Sequence, residues 1–446
     1  MAAINRSIYE ILTIESNDQK RTVDAKSGVT SIDYYEDIFS PTITAKITVT
    51  NTGDTVSAPD SQGNPDGYRQ SIYNGLPLRG GERVVLKIRG NSPRNPGLDF
   101  SGSASGYLYV SSITNVISES QKESFTLNLV SREAITNETS RVGKKYKVDS
   151  TISASVRDIL SNYLRTDRIG TIDTSSNKYG FIGNLRKPFT VLVWLASKAV
   201  PDISKDATAG FVFYQTIDGF QFRSLDRLIQ QSPKATYTYT RVNQSGFERD
   251  NDFNILNYRT EKNQNLIEKL RLGTYSSYRI FYNPYDFTFT DPATGLFTIN
   301  DYVSDVKNLG QELVLPKISA SDGRTLGEIP TRFITQCLDI GTLDPGVSET
   351  ENADPIKYQS QALMRYNILF TQTVSMTIPS NTNLRAGDII SCQVPKISSG
   401  DKEEFDPDQS GLYMIKELCH HFDSEGSYTS MKLIRDTFGK HGVNNK

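Results

Sequence analysis

Three adjacent side chains near the end of the sequence are of types that bind metals or act in catalysis. Cys419, His420 and His421 follow one another, and the remaining histidine is His441. A zinc site needs three or four ligands that converge on one point. Successive residues of a β-strand point to opposite faces, so one strand cannot aim these three side chains at one ion. Because the sequence has no second Cys/His cluster, we predict no metal site, and we expect one packed and one solvated histidine.

Other candidate catalytic groups lack the setting that their chemistry needs. Cys419 as a nucleophile would need a base positioned on a separate face. The densest acidic cluster falls in one loop and consists of Asp401, Glu403, Glu404, Asp406 and Asp408. A glycosidase holds two carboxylates at a defined separation on rigid elements, and residues 406–410 lack the fuller spacing of a calcium loop. The sequence has no Walker A, G-x-S-x-G or H-E-x-x-H motif. We predict no catalytic or cofactor-binding residue, no cofactor and no enzyme activity.

The histidine pair lies in a stretch whose pattern occurs twice in the chain. The later copy begins with LRAGDIISCQV at Leu384, and the earlier one begins with LRGGERVVLKI at Leu78. Each continues with a polar loop, a strand that opens on glycine, a Ser/Glu turn and a second strand, and the copies end near Phe438 and Glu133. The spacings between corresponding glycines and arginines differ by at most two residues. This self-similarity predicts two related antiparallel β-modules.

The composition is that of an ordinary globular protein. The 446 residues are 37% hydrophobic and carry a net charge of -2, a length sufficient for two to four domains. No basic tract suggests a nucleic-acid footprint. The cysteines, Cys337, Cys392 and Cys419, are too few and too widely spaced for a disulfide framework, so we expect synthesis in a reducing compartment. No apolar segment has the length of a secretory signal or a bilayer span, so we expect no membrane insertion.

The order of elements predicts a mainly β chain with an α+β insert. Helical spacing over 156–164, capped by Ser150 or Ser153, and an apolar run that begins at Pro188 predict two helices. Asp218-Gly219 between aromatic strands predicts a hairpin. The predicted organisation is a first β-barrel module at 1–135, an insert of two helices and a hairpin at 136–245, a second and discontinuous β-barrel module at 246–290 and 360–438, an intervening subdomain at 291–359, and a polar tail at 439–446.

The sequence also predicts the structure of two further segments and the environment of one side chain. The segment 266–290, dense in tyrosine and phenylalanine, is predicted to form two or more strands. Residues 359–375 are predicted to begin as a helix and end as a strand. Trp194, the single tryptophan, is expected to pack in a core.

These residues carry a resemblance to a known family. The run GLYMIKELCHHF–turn–SYTSMKLIRDTF, preceded by LRAGD and a strand, resembles the last barrel hairpin of the baseplate central hub proteins of contractile-tailed, myovirus-type bacteriophages. The order PFTVLVWLASKAV, then GFVFYQTIDGFQFRSLDRL, is similar to the middle subdomain of those hubs. The duplicated module matches their plan of two tail-tube-like barrels. The resemblance covers most of the chain and rests on element order; the 51–75 loop and the 291–360 segment depart from it.

The resemblance implies a structural role in the virion. It implies a homotrimer in which two barrels from each chain form a pseudo-sixfold ring that adapts the sixfold tail tube to the threefold spike. The implied partners are the spike protein, tail-tube or tube-initiator proteins and baseplate wedge proteins, with transient contact to phage DNA in the enclosed channel during ejection. The implied location is the tail baseplate, after assembly in the bacterial host cytoplasm.

Two alternative functions remain open on the sequence. One is a hub-associated cell-wall lysin, which would need a carboxylate or Cys-His site on the 136–240 insert. The other is a tail receptor protein that binds carbohydrate through Tyr275, Tyr278, Tyr282 and Tyr285. A peptidoglycan clearing assay and glycan-array binding separate these two from the hub.

Overall fold

The structure is a computed structural model. It describes residues 3–59, 65–93, 95–102, 106–119, 121–203, 208–240, 251–284, 287–290, 295–299, 308–311, 313, 315–317, 323–339, 341–342, 355–396 and 405–439. Asp401, Glu403, Glu404, His441 and Tyr285 lie outside the described residues, as does the predicted tail beyond residue 439.

Strands dominate the described part of the chain. The strands are β1 (Ile8–Glu15), β2 (Thr22–Asp24), β3 (Val29–Asp37), β4 (Thr44–Thr52), β5 (Val56–Pro59), β6 (Pro65–Gln70), β7 (Arg83–Ser92), β8 (Asn95–Phe100), β9 (Leu108–Ser118), β10 (Lys122–Ser131), β11 (Lys145–Tyr146), β12 (Ile169–Ile172), β13 (Phe181–Ile182), β14 (Phe211–Thr216), β15 (Gly219–Ser224), β16 (Thr236–Thr238), β17 (Asn257–Asn263), β18 (Ser276–Tyr282), β19 (Leu296–Thr298), β20 (Arg332–Cys337), β21 (Gln372–Pro379), β22 (Ile389–Gln393), β23 (Gly411–Asp423) and β24 (Ser427–Arg435). The α-helices are α1 (Ile72–Gly75), α2 (Arg132–Thr139), α3 (Ile152–Asn162), α4 (Pro188–Ala196), α5 (Leu225–Ile229), α6 (Leu266–Arg271) and α7 (Pro355–Leu369), and a 3-10 helix spans Lys26–Gly28.

The first set of strands follows the order β3-β4-β10-β9-β7-β1-β2, and β8 also pairs with β7. Strand β4 shows why these residues form a sheet with one buried face. Its apolar residues Ala45, Ile47 and Val49 are buried, whereas Lys46 and Thr48 between them are not. Because strand side chains alternate between the two faces, this pattern directs the apolar side chains of the set into one hydrophobic cluster.

A second set of strands has the same order of neighbours. The order β17-β21-β24-β23-β22 corresponds to β3-β4-β10-β9-β7, and every pair in both series is antiparallel. The next neighbours differ, because β16 runs parallel to β22 whereas β1 runs antiparallel to β7. The second set encloses its own hydrophobic cluster.

Strand β23 joins the two sets. Its first part pairs with β22, and its last part, from Glu417 to Asp423, pairs with β3 of the first set. Both sets therefore belong to one continuous sheet, which has 14 strands in the described ranges. We call this β23–β3 ladder the joint.

The insert contains the expected helices and hairpin. Helices α3 and α4 share a hydrophobic cluster with the three-stranded sheet β12-β15-β14. The N-cap of α3 is Thr151, whose Oγ1 accepts a hydrogen bond from Ala154 N at 3.4 Å. The prediction of Ser150 or Ser153 as this cap was therefore wrong. Trp194 packs edge-on against Tyr179 and Phe181 at the border of this cluster. The predicted fold class, mainly β with an α+β insert, is confirmed.

The segment 266–290 differs from its prediction. Leu266–Arg271 forms α6, because these strong helix formers follow Asn265, whose side chain caps the helix by accepting from Glu268 N. Strand β18 pairs with β19 and β20 in a separate three-stranded sheet. The helix-then-strand prediction for 359–375 is confirmed by α7 and β21. None of the helices in the described ranges has both the length and the apolar character needed to cross a membrane.

Candidate functional site

The alternation of β23 separates the two adjacent histidines. His420 is 0% exposed on the core side, where its Nδ1 lies 2.9 Å from Thr429 Oγ1 and its ring stacks on Tyr34. Burial, assisted by the nearby Arg385, lowers the pKa of His420 to about 3, so this imidazole is neutral. His421 is half-buried on the other face. The pair therefore provides no converging ligands.

His421 lies between two carboxylates at the joint. Its Nδ1 is 2.5 Å from Asp33 Oδ1, its Nε2 is 3.0 Å from Asp423 Oδ2, and its ring stacks on Tyr428 at 4.4 Å. Burial is the largest effect on the pKa of His421 and lowers it, but the two carboxylate contacts outweigh burial, so the pKa is raised. An imidazolium placed here links β3 to β23 by charge-assisted hydrogen bonds.

The remaining candidate chemical groups are placed apart from one another. Burial raises the pKa of the Cys419 thiol to about 12, which leaves it un-ionised and weakly nucleophilic. Asp406 accepts hydrogen bonds from the backbone N–H groups of Asp408 and Gln409, at 2.8 and 3.1 Å, and so organises a turn. Within the described residues, no group of three or more Cys, His, Asp or Glu side chains could hold a metal ion.

Glu36 is a central residue of the joint that the sequence reasoning missed. It is 1% exposed, and its carboxylate accepts from Tyr34 Oη at 2.8 Å, Ile217 N at 2.8 Å and Ala386 N at 3.0 Å. Burial raises the pKa of Glu36 to about 7, although Arg385 and the backbone donors oppose this shift. One carboxylate thus connects β3, the hairpin of the insert and the turn before β22. Period-two alternation places Glu36 on the same face as Tyr34, and an acid on a core face is the signal that could have identified it.

The turns that precede β7 and β22 share their geometry. Gly81 has φ +93° and donates its N–H to Val110 O at 2.7 Å, whereas Gly387 has φ +90° and donates to Ile415 O at 2.8 Å. In each turn the acid that follows the glycine accepts from the backbone N–H of the arginine: Glu82 from Arg79 at 2.7 Å and Asp388 from Arg385 at 2.8 Å. The repeated Leu-Arg-x-Gly-acid sequence therefore encodes a self-capped turn that needs glycine at its left-handed position.

The strand edges that are open in the part of the chain that the structure describes include those of β17 and β9. Strand β17 lies at one end of the sheet and, among the described residues, pairs only with β21. Strand β9 pairs with β10 along its length, but its other edge pairs with β7 only at Leu108 and Tyr109. Val116 and Ile117, on the open part of β9, are 42% and 60% exposed. An exposed strand edge is a template for pairing with another chain.

The joined sheet has one polar face, opposite the two cores. Residues directly opposite each other in antiparallel ladders share a face, and one row crosses the joint from Lys46 through Asp33 and His421 to Tyr428. The other half-exposed or exposed polar side chains of this face include Asp37, Thr48, Ser124, Arg259, Glu261, Ser375, Thr377, Glu417, Asp423, Ser430 and Lys432. Hydroxyl groups and charges of both signs are interspersed, so the face has no basic tract.

Comparisons with known proteins agree with this architecture. No protein-family model matches the chain. The chain is 22% identical over 298 residues to a probable baseplate hub protein of Vibrio phage KVP40; the match covers 65% of this chain and 66%, just under two thirds, of that protein's length.

Two solved structures have a similar fold. The tail protein from Neisseria meningitidis MC58 has a TM-score of 0.52 at 10% identity, with 96% of each chain covered. The tail protein of prophage MuSo2 from Shewanella oneidensis has a TM-score of 0.50 at 10% identity, with 96% of this chain and 100% of that chain covered. The resemblance to phage baseplate hub proteins that the sequence predicted is thus confirmed, and the chain has the fold of phage tail proteins.

Proposed function

We propose that this protein is the structural baseplate hub of a contractile phage tail. In this proposal three copies form a pseudo-sixfold ring that adapts the sixfold tail tube to the threefold central spike and encloses the DNA channel. The observation that carries the proposal is the joint: two strand sets with the same neighbour order lie side by side in one sheet. The sequence similarity to a probable baseplate hub protein supports the same role.

The geometry of the joint favours a ring over a symmetric dimer. Strand β23 of the second set contacts β3 of the first set, so two different edges meet. This contact is heterologous, and a heterologous contact that is repeated with closing rotation generates a ring. If duplication produced the two sets, each chain supplies two equivalent units, and three chains supply the six that match a sixfold tube.

The polar face of the sheet is the proposed wall of the channel. Its hydroxyl groups and its charges of both signs suit a surface along which DNA slides, because strong phosphate binding requires clustered lysine and arginine. Salt bridges such as that between Lys416 Nζ and Asp37 Oδ2, at 2.7 Å, pair basic groups with neighbouring acids. The acids reduce the attraction of these bases for phosphate.

The proposed partners are the spike protein on one face of the ring and tail-tube or tube-initiator proteins on the other, with wedge proteins at the periphery. The proposed location is the virion baseplate, after assembly in the host cytoplasm. We propose no enzyme activity, and the raised pKa of Cys419 and the occupied imidazole of His421 support this. Clearing of peptidoglycan by the purified protein would contradict it, and specific glycan-array binding would favour the receptor alternative.

Light scattering of the full-length protein, alone and with its spike protein, tests the ring. We expect a mass of three times the 49.8 kDa chain and six-lobed particles with a central hole in negative stain. A monomer at every accessible concentration, with no trimer on addition of the spike, would refute the hub assignment.

A further inference from the structure

We propose that the open edge of β9 pairs in antiparallel register with β17 of a second copy of this chain, with Ile117 opposite Arg259 of that copy. This inference rests on the proposed ring and specifies which strands and residues form its contacts between chains. It predicts that the joint seen within one chain is repeated between chains.

Hydrogen-bond ladders identify the equivalent residues of the two sets. A register shift leaves Ser111 unpaired in the β9–β10 ladder and Lys416 unpaired at the same level of the β23–β24 ladder. Counting onward from these two bulges aligns Thr114 with Cys419. In the same way, the ladders of β3 with β4 and β17 with β21 align Asp33 with Arg259. The open edges of β9 and β17 are thus the counterparts of the strands that meet in the joint.

A second irregularity in each open strand supports their mutual pairing. In β9 the ladder to β10 shifts between Thr114 and Ile117, which adds one residue relative to β23, where Cys419 to His421 is regular. In β17 the ladder to β21 shifts between Thr260 and Lys262, which adds one residue relative to β3.

The two added residues lie at the same level of the expected β9–β17 contact. Because each strand gains one residue there, the extra residue of β9 is matched by the extra residue of β17, and the antiparallel register between the strands is uninterrupted. Thr114 then lies opposite Lys262, Ile117 opposite Arg259, and Ser118 opposite Tyr258. An extra residue in only one of the strands would have broken this ladder.

The amino-acid composition of the open edge of β9 also indicates that this edge pairs with another strand. Its segment 111–118, Ser-Ser-Ile-Thr-Asn-Val-Ile-Ser, contains no charge and no proline, which are the usual protections of an edge strand. Within one chain β9 and β17 are separated by six strands of the sheet order, so they do not pair with each other there. A second copy supplies the missing edge, and the pairing adds backbone hydrogen bonds to both strands.

Cross-linking of chains that each carry one introduced cysteine tests the contact. One chain carries Ile117→Cys and the other Arg259→Cys, both in a Cys337→Ser background, because Cys337 is an exposed native thiol. Directly opposite strand residues lie close enough for a disulfide after small adjustments. After coexpression and mild oxidation, we expect a covalent two-chain band on a denaturing gel. Each substituted chain expressed alone should remain uncross-linked, and a chain with both substitutions should give a three-chain band.

The off-register pair Ile117→Cys with Asn257→Cys is the matched control and should cross-link roughly tenfold less, since its sulfur atoms lie too far apart. Cross-linking of the Ile117→Cys chain by itself would indicate a symmetric contact and overturn the inference. A trimer by light scattering without the expected cross-link would overturn this interface but leave the hub proposal standing. Absence of any oligomer, with or without the spike, would overturn both.

Discussion

His421 and Asp33 lie directly opposite each other in the ladder that joins the two strand sets, with Nδ1 2.5 Å from Oδ1. They belong to strands that are separated by most of the chain in sequence, so a change in their contact should change the stability of the joint. Since the carboxylate contacts raise the pKa of His421, the joint is strengthened when the imidazole is protonated.

Substitution His421→Gln should change how stability depends on pH. A histidine whose pKa is raised on folding contributes stability that is fully present below its ordinary value of 6.5 and is lost as pH rises through the folded-state pKa. The free energy of unfolding of the wild type should therefore exceed that of the variant by roughly 1 kcal/mol near pH 6. This figure is reduced for solvent screening, because the pair is half-buried. The difference should shrink towards pH 8.

Urea unfolding at a series of pH values measures this difference. Ser430→Ala, on the same face of the neighbouring strand, is the control, because its effect should not vary with pH. A wild-type advantage that stays constant from pH 6 to 8 would show that protonated His421 does not stabilise the joint. Glu36 also titrates in this range, but the comparison with His421→Gln removes its contribution.

Phe422→Ala should weaken the joint through the core. Phe422 lies on β23, yet its side chain is fully buried in the hydrophobic cluster of the first strand set. Removing a buried phenylalanine costs roughly 3–5 kcal/mol through lost burial and the remaining cavity. Chemical unfolding should show this loss, whereas Ile117→Ala, at an exposed position, should change the stability of a single chain by less than about 0.5 kcal/mol. Similar losses for both variants would contradict this placement of Phe422.

Glu36→Ala should destabilise the protein more than Glu36→Gln. Alanine leaves the N–H groups of Ile217 and Ala386 without their carboxylate acceptor, and each unsatisfied buried donor costs roughly 1–3 kcal/mol. Glutamine retains one acceptor oxygen and avoids the burial of a charge. Midpoints of urea unfolding at pH 8, where the wild-type carboxylate is mostly ionised, provide the test. Equal stability of the alanine variant and the wild type would contradict the role assigned to Glu36.

The glycine turns give a graded series. An alanine at Gly387 would adopt an unfavourable φ of +90° and place its Cβ 2.5 Å from Tyr214 Oη, so we expect a loss of roughly 2 kcal/mol or more. Gly81→Ala has similar φ strain, but its nearest contact is 3.1 Å from the Asn17 side chain, and the expected loss is roughly 1–2 kcal/mol. Gly53→Ala meets no atom within 4 Å and should be neutral. Thermal unfolding measures these losses, and a different ranking of the three variants would contradict the turn assignment.

Local physics made much of this architecture predictable from sequence. Alternation predicted that His420 and His421 face opposite sides, and the proline at Pro188 marked the first turn of α4. The same reasoning erred at Leu266–Arg271, where aromatic residues farther along suggested strands although Asn265 caps a helix of strong helix formers. Period and propensity fix the type of an element only when the neighbouring signals agree.

The repeated turn and strand pattern could be predicted without a structure, because the Leu-Arg-x-Gly-acid motif specifies its own backbone hydrogen bonds. Three features became visible only in the folded chain: β23 pairs with β3, Glu36 connects three segments, and the edges of β9 and β17 are open. Alternation tells which face of a strand is buried, but a strand's neighbour depends on long-range packing between residues hundreds of positions apart. The contacts that we propose for assembly therefore become visible only after folding.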